Sequence, residues 1–280
     1  MQESGPNRVI EFVILTWNSE TCVERCLTSV LAIQTFDVKV HVVDNGSTDG
    51  TIGLLDAYAA ASDGRMDIIK AGVNLGTTVS RNIALRMVDR DSNYVCVLDS
   101  DTVVNERAFE IMIAALDTDE TIGLIGPTMH SSVGEKQLSG RNLPTADLKI
   151  RKAFPIGAVA EKAAHCEVPT APVVNGLQDV GYLLSACWLM PRRTLSEVGL
   201  LDEEIFYAPE DVDYCVRVQN AGYRVVYCRD AEIVHEYQRL SKKKLLSRMN
   251  IAHIKGLGYY FKKHGYLLNS AKAIRKRLDR

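Results

Sequence analysis

The 280-residue sequence predicts an α/β chain: a mostly parallel, doubly wound sheet flanked by helices, with a helical, basic C-terminal extension. Three observations carry that expectation. Short apolar runs rich in β-branched residues alternate with segments of helical period, the pattern of strands joined by crossover helices. Two of those runs, Val42-Val43-Asp44 and Val97-Leu98-Asp99, stop abruptly at carboxylates, at the strand ends where open α/β sheets hold ligands. Charge is also uneven. From Arg239 to Arg280 there are 13 Lys/Arg against one Asp, so the tail is basic and the body acidic under a formal net charge of only -2.

Residues 1–7 are polar and read as a frayed start. Val9–Thr16 is the first strand, and Ser19 or Thr21 is placed to cap a helix over Cys22–Gln34. Val38–Val43 is a second strand. The turn formers of Asp44-Asn45-Gly46-Ser47-Thr48-Asp49-Gly50 then lead into a helix over Thr51–Ala61. Met66–Lys70, a turn at Asn74-Leu75-Gly76, a helix over Val79–Val88 and a strand over Tyr94–Leu98 follow. A helix over Glu106–Leu116 and a strand over Thr121–Pro127 complete the first half, near 9–127. Ser131–Val174, with Pro144, Pro155, Pro169 and Pro172, reads as a loop-rich excursion over the site and not as a separate domain. Order returns over Val180–Met190, in a helix over Val212–Ala221, and in strand pieces Tyr223–Val226 and Ala231–Val234, so a second half spans about 128–238. The extension, 239–280, is helical in pattern over Ser241–Arg280.

Hydrophobic content of 46% and charged content of 24% are those of an ordinary soluble domain. The seven cysteines form no Cys-x-x-Cys pair and read as reduced core thiols of a cytoplasmic protein. The N-terminus lacks a signal-peptide pattern, and no apolar run reaches the roughly 18–20 residues that span a bilayer. The expectation is a soluble chain, at most peripheral at the inner face of a membrane.

Asp99 and Asp101 are the first chemical signal. One residue apart at a strand end they can converge, and two close carboxylates repel unless a proton or cation lies between them. Mn²⁺ or Mg²⁺, which take oxygen ligands and share them with phosphates, would suit that pair. Asp44, at the same sheet edge, either accepts from a ligand N–H or merely caps its own turn. Glu210-Asp211-x-Asp213 opens a helix, where carboxylates either complement the helix dipole or supply a general base. His235, after a strand, is either structural or a metal ligand. There is no Walker loop, Gly-x-Gly-x-x-Gly or Gly-x-Ser-x-Gly, so P-loop kinases, common dinucleotide dehydrogenases and α/β-hydrolases are not favoured. Asn45-Gly46-Ser47 fits a glycosylation sequon by accident of composition.

Five segments in register over about residues 9–236 resemble glycosyltransferase family 2, the inverting enzymes of the glycosyltransferase-A (nucleotide-diphospho-sugar transferase) fold. They are Val13-Ile-Leu-Thr-Trp-Asn18, Val42-Val-Asp-Asn-Gly-Ser-Thr-Asp49, Asn74-Leu-Gly76 with Ser80-Arg-Asn82, Leu98-Asp-Ser-Asp101, and Ser185-Ala-Cys-Trp-Leu-Met190 continuing to Glu210-Asp-Val-Asp213 and His235. The last is similar to the rhamnosyltransferase-like branch. The resemblance implies a catalytic domain over 1–238, with a nucleotide-sugar half and an acceptor half. It implies that Thr16 and Asp44 hold the nucleoside base and that Arg81 lies near the diphosphate or base. Asp99 would reach the ribose or join the metal shell, and Asp101 and His235 would ligate Mn²⁺ or Mg²⁺. Asp211 would be the catalytic base, with Glu210 the alternative, and Trp188 part of the acceptor wall. The implied donor is a UDP- or dTDP-sugar, with rhamnose suggested by the branch, and the acceptor a hydroxyl of a growing glycan or lipid-linked saccharide.

Two rivals are weighed against this. A sugar-phosphate nucleotidyltransferase carries a Gly-rich, basic loop after its first strand, which Thr16-Trp-Asn-Ser-Glu20 lacks. A catalytically silent nucleotide-sugar or lipid-binding module would not need Asp99, Asp101, Asp211 and His235 together. In the tail, Lys242-Lys-Lys244, Lys262-Lys263 and Arg275-Lys-Arg277 interleave with Ile251, Ile254, Tyr259, Tyr260 and Phe261. That pattern fits an anionic membrane surface, a face packed back on the acidic body, or a dimer arm. Nucleic acid is not expected, given the acidic remainder.

Overall fold

The four runs read as parallel strands form one half of a single sheet. The computed structural model describes residues 8–153, 165–236 and 248–265. β1 (Val9–Thr16), β2 (Asp37–Asp44), β3 (Met66–Lys70) and β4 (Tyr94–Asp99) pair in parallel in the order β3-β2-β1-β4. α1 (Val23–Leu31), α2 (Thr51–Ala61) and α3 (Thr77–Leu85) make the crossovers. β5 (Thr102–Val103), α4 (Glu106–Thr118) and β6 (Ile122–His130) follow. The excursion supplies β7 (Lys136–Gln137), β8 (Gly140–Arg141), α5 (Ala146–Ala153) and β9 (Val173–Val174), and β10 (Leu177–Asp179) and β11 (Tyr182–Leu183) come after it. The chain returns through β12 (Cys187–Pro191), α6 (Arg192–Val198), α7 (Glu210–Asn220), β13 (Arg224–His235) and α8 (Arg248–His264).

The sheet runs on from β4 through β12, β6, β13, β10 and β9. β12 lies antiparallel to both β4 and β6, while β13 is parallel to β6. The chain enters β12 from the excursion above the carboxyl edge, so it can only run back down. Pro191 closes the strand with extended geometry and precedes the first residue of α6, where a missing N–H costs nothing. The two expected strand pieces near the end are one strand, β13, whose register with β6 shifts between Cys228 and Glu232. Such a shift breaks the alternation of side chains and hides strand continuity from the sequence.

Three further details differ from expectation. Neither Ser19 nor Thr21 caps α1 through its side chain; the Ser19 carbonyl instead accepts from the N–H groups of Cys22 and Val23 at 3.0 and 2.9 Å. α7 begins at Glu210, two residues early, so both carboxylates of that pair lie in its first turn. Cys166 is exposed, unlike the other six thiols.

Apolar residues fill both sides of the sheet. α1 and α4 cover one face, where Phe12 and Phe109 meet with ring centroids 5.3 Å apart. α3, α6 and α7 cover the other, centred on Trp188, which stacks on Tyr214 at 5.5 Å. α8 docks on that second layer. Tyr260 is fully buried, Lys263 Nζ reaches both Asp202 and Asp213, at 2.5 and 2.7 Å, and His264 Nε2 lies 2.7 Å from Asp213. Any side chain at Gly256 would strike the Ala208 carbonyl oxygen, 2.1 Å from its Cβ position. This stretch of the tail therefore packs on the acidic body; 239–247 and 266–280, with the remaining basic clusters, lie outside the described residues, as do residues 1–7.

Candidate active site

The carboxyl ends of β1, β4 and β13 and the start of α7 enclose a cleft of about 700 Å³. β4 places Asp99 at the edge, with its N–H donating to the Ala186 carbonyl at 3.0 Å. A turn carries the chain to β5, and β5 pairs antiparallel with the last residues of β13, matching Thr102 with His235. That pairing is what brings Asp101 beside His235, with His235 Nε2 3.3 Å from Asp101 Oδ1. One ligand atom from each of Asp99, Asp101 and His235 lies within 4.8 Å of the others.

The imidazole is held in one orientation. Gln137 Nε2 donates to the His235 carbonyl at 2.8 Å, which turns Gln137 Oε1 toward His235 Nδ1, also at 2.8 Å. Nδ1–H then donates to the amide oxygen and Nε2 faces the two carboxylates, as a proton donor when the ring is charged and with a free lone pair when it is neutral, the form a metal-binding histidine uses. Burial favours the neutral ring, but Asp101 and then Asp99 outweigh it and raise the His235 pKa. Burial raises the Asp99 pKa, Arg81 opposes the rise and Asp101 adds to it. Two carboxylate oxygens and one imidazole nitrogen suit a divalent cation such as Mn²⁺ or Mg²⁺.

Ser80, Arg81 and Asn82 on α3 each join a different wall. Ser80 Oγ donates to Asn45 Oδ1 at 2.9 Å, and Asn82 Nδ2 donates to the Leu201 carbonyl at 2.9 Å. Arg81, almost fully buried, pairs through Nη2 with Asp99 and through Nη1 with Glu210 at 3.1 Å. Gly76, at φ +85°, lets this helix start against the Phe206 loop; a Cβ there would lie 2.4 Å from the Phe206 carbonyl oxygen, which accepts from the Thr77 N–H at 2.7 Å. Glu210 Oε1 also accepts from Ser185 Oγ at 2.9 Å, and burial beside Asp211 pushes the Glu210 pKa up to about 7. Asp211 lines the same cleft, its pKa raised by burial, while Lys149, Arg141 and Arg81 pull the other way.

A glycosyl transferase family 2 model matches residues 11–168, more than half of the sequence. The chain belongs to glycosyltransferase family 2. This glycosyltransferase is 27% identical over 246 residues to an N-acetylglucosaminyl-diphospho-decaprenol L-rhamnosyltransferase of Mycobacterium tuberculosis, covering 81% of this chain and 76% of that one. Its fold is that of the glycosyltransferase-A enzymes. GalNAc-T7, solved with UDP, GalNAc and Mn²⁺, superposes with a TM-score of 0.68 at 14% identity over 91% of this chain and about half, 48%, of its own. A mannosyltransferase of Pyrobaculum calidifontis, solved with GDP-Man and Mn²⁺, gives 0.58 at 17% identity over 97% of this chain and 65% of its own.

Of the residues singled out in the transferase sequence, Arg81, Asp99, Asp101, Glu210, Asp211 and His235 meet in the cleft. Trp188 does not. It stands on a strand with both faces covered, is fully buried, and donates Nε1–H to the Leu183 carbonyl at 3.1 Å, so it is core and not acceptor wall. Thr16 and Asp44 are also fully buried. Asp44 accepts from Thr16 Oγ1 at 3.0 Å and from the Ser47 N–H at 2.9 Å, the turn-capping alternative, and neither residue lines the cleft. Asn45 is buried with its amide oxygen taken by Leu75 N–H and Ser80, which leaves the sequon closed to modification. Gln137 and Ser185 went unrecognised: Gln137 sits in a two-residue strand without a motif, and Ser185 was visible only as the first letter of a longer match.

Proposed function

We propose that this glycosyltransferase moves a sugar, with inversion, from a UDP- or dTDP-sugar to a hydroxyl of a glycan or lipid-linked saccharide, with a divalent cation held by Asp101 and His235 and shared with Asp99. The observation that carries the reading is that this ligand set and the Glu210–Asp211 pair open onto one cleft and are joined by a single buried guanidinium, Arg81. The rhamnosyltransferase relative supports rhamnose as the transferred sugar and a diphosphate-linked lipid as acceptor.

A cation bound here supplies Lewis-acid stabilisation to the negative charge gathering on the departing diphosphate. Gln137 fixes the ring that would hold it. Arg81 neutralises Asp99 and Glu210 and keeps the two halves of the cleft in register. With Glu210 committed to Arg81 and Ser185, Asp211 is the carboxylate placed to take the acceptor's proton. As the acceptor oxygen bonds to the anomeric carbon from the face opposite the diphosphate, the anomeric C–O bond breaks. The proton goes to Asp211 and the nucleoside diphosphate leaves, so one displacement inverts the centre.

The test is a thermal-shift series with UDP-, dTDP- and GDP-sugars, with and without Mn²⁺, followed by NMR of the product anomer. A true donor at 100 times its Kd stabilises the fold by about 2.7 kcal/mol, and only with metal present. Equal shifts with and without Mn²⁺, or a product of retained configuration, would sink the proposal.

A further inference from the structure

A single exposed apolar side chain is ordinary, but among the described residues three gather along the cleft and the hollow beside it. Phe206 is 45% exposed, Ile251 45% and Ile254 67%. Phe206 and Ile254 line the cleft itself. Phe206 and Ile251 also line a neighbouring hollow of about 430 Å³, walled by Ala252, Lys255, Gly256 and Tyr259, with Glu204 on its rim. Phe206 is thus the partition between the two. Ile251, Ile254 and Lys255 follow the i, i+3, i+4 spacing that puts them on one face of α8, while Gly256 and Tyr260 are spent on the body. An apolar track carrying a cation, continuous with a cleft that takes a hydroxyl, matches an amphiphile whose polar end is the reacting one.

We propose that Phe206, Ile251 and Ile254 form a seat for the hydrocarbon chain of a lipid-linked acceptor, with Lys255 beside the anionic link between chain and sugar. This rests on reading the cleft as the site of sugar transfer. The chain leaves the cleft over Phe206 and lies along α8, which gives the tail helix a part in acceptor choice.

The test uses the full chain and does not need turnover. Farnesyl diphosphate and inorganic diphosphate are titrated calorimetrically into wild type and into an Ile251→Ser, Ile254→Ser double variant, whose changes fall on exposed positions. Farnesyl diphosphate should bind wild type at least about tenfold more tightly than inorganic diphosphate, and the double variant should lose that advantage while still melting as wild type does. Equal binding of the two probes, or an advantage that survives in the variant, overturns the seat. So does sedimentation with phosphatidylglycerol vesicles without chain-dependent binding of farnesyl diphosphate, which would make this edge a membrane contact. Chain-dependent binding without any transfer activity would leave the seat standing and remove the catalytic reading instead.

Discussion

Asp99 and Asp101 at the end of β4 and Asp211 and Asp213 at the start of α7 have the same spacing, yet the first pair converges and the second divides. At the strand end, with His235 brought in by the β5–β13 pairing, the ligand atoms lie within 4.8 Å of one another. On the helix, residues two apart point to different sides. Asp211 opens to the cleft, whereas Asp213 is buried against Arg217, Lys263 and His264. The first cluster turns its charges toward one point; the second sends one carboxylate to the cleft and the other into the packing of α8.

The largest effects should come from breaking each cluster at its open member. Asp211→Asn is expected to lower kcat by about 10²–10⁴-fold while leaving donor and Mn²⁺ binding measurable by calorimetry. Asp101→Ala should remove Mn²⁺ binding itself. If Asp211→Asn kept near-normal turnover, or Asp101→Ala bound Mn²⁺ as wild type does, the division of labour between strand end and helix would be wrong.

Arg81 joins the clusters, so its removal should be felt by both. Arg81→Met leaves the buried Glu210 and the part-exposed Asp99 without their shared cation; breaking a buried pair costs about 3–5 kcal/mol, and solvent at the open side of Asp99 puts the loss at or below the lower end of that range. Urea denaturation should show that loss. A change of under about 1 kcal/mol would mean that protonation of Glu210, whose pKa already stands at about 7, absorbs the missing charge.

The strand-end cluster was legible in sequence because an apolar run that stops at carboxylates fixes both the element and the sheet edge. Its orienting residue was not. Gln137 acts through one side-chain amide on a two-residue strand, and no periodicity marks it. Gln137→Leu should therefore weaken Mn²⁺ binding by about 10–100-fold without removing a ligand. Unchanged affinity would show that the ring needs no such hold. The position of β12 was equally hidden, because a fully apolar run does not say which neighbours it has or which way it runs. Trp188 was misread for that reason: a Trp next to a sheet edge in sequence lies in the sheet centre in space. Asp44 shows the converse. Its motif was plain, but a motif does not say which donors meet a carboxylate, and in the fold those of Asp44 include Thr16 Oγ1 and the Ser47 N–H.

The smallest effect isolates the structural member of the helix cluster. Burial alone would raise the Asp213 pKa, but the bonds from His264 and Lys263 and the charge of Arg217 outweigh it and lower it to about 2, below the ordinary carboxylate range. A carboxyl more acidic in the folded than in the unfolded chain contributes stability in full above the unfolded value and loses it as pH falls through the folded one. Asp213→Asn should thus be less stable than wild type at neutral pH by roughly 1.5–3 kcal/mol, the range for a hydrogen bond to a charged group. That gap should close between about pH 4 and pH 2. Hydrogen exchange should place the loss in 248–265, where Lys263 and His264 hold α8 to the body, with the Asp99–Asp101–His235 edge unaffected. If the gap persisted to pH 2, or protection of α8 did not change, burial of Tyr260 and Phe261 would be what docks the helix, and Asp213 would be a passenger in its own cluster.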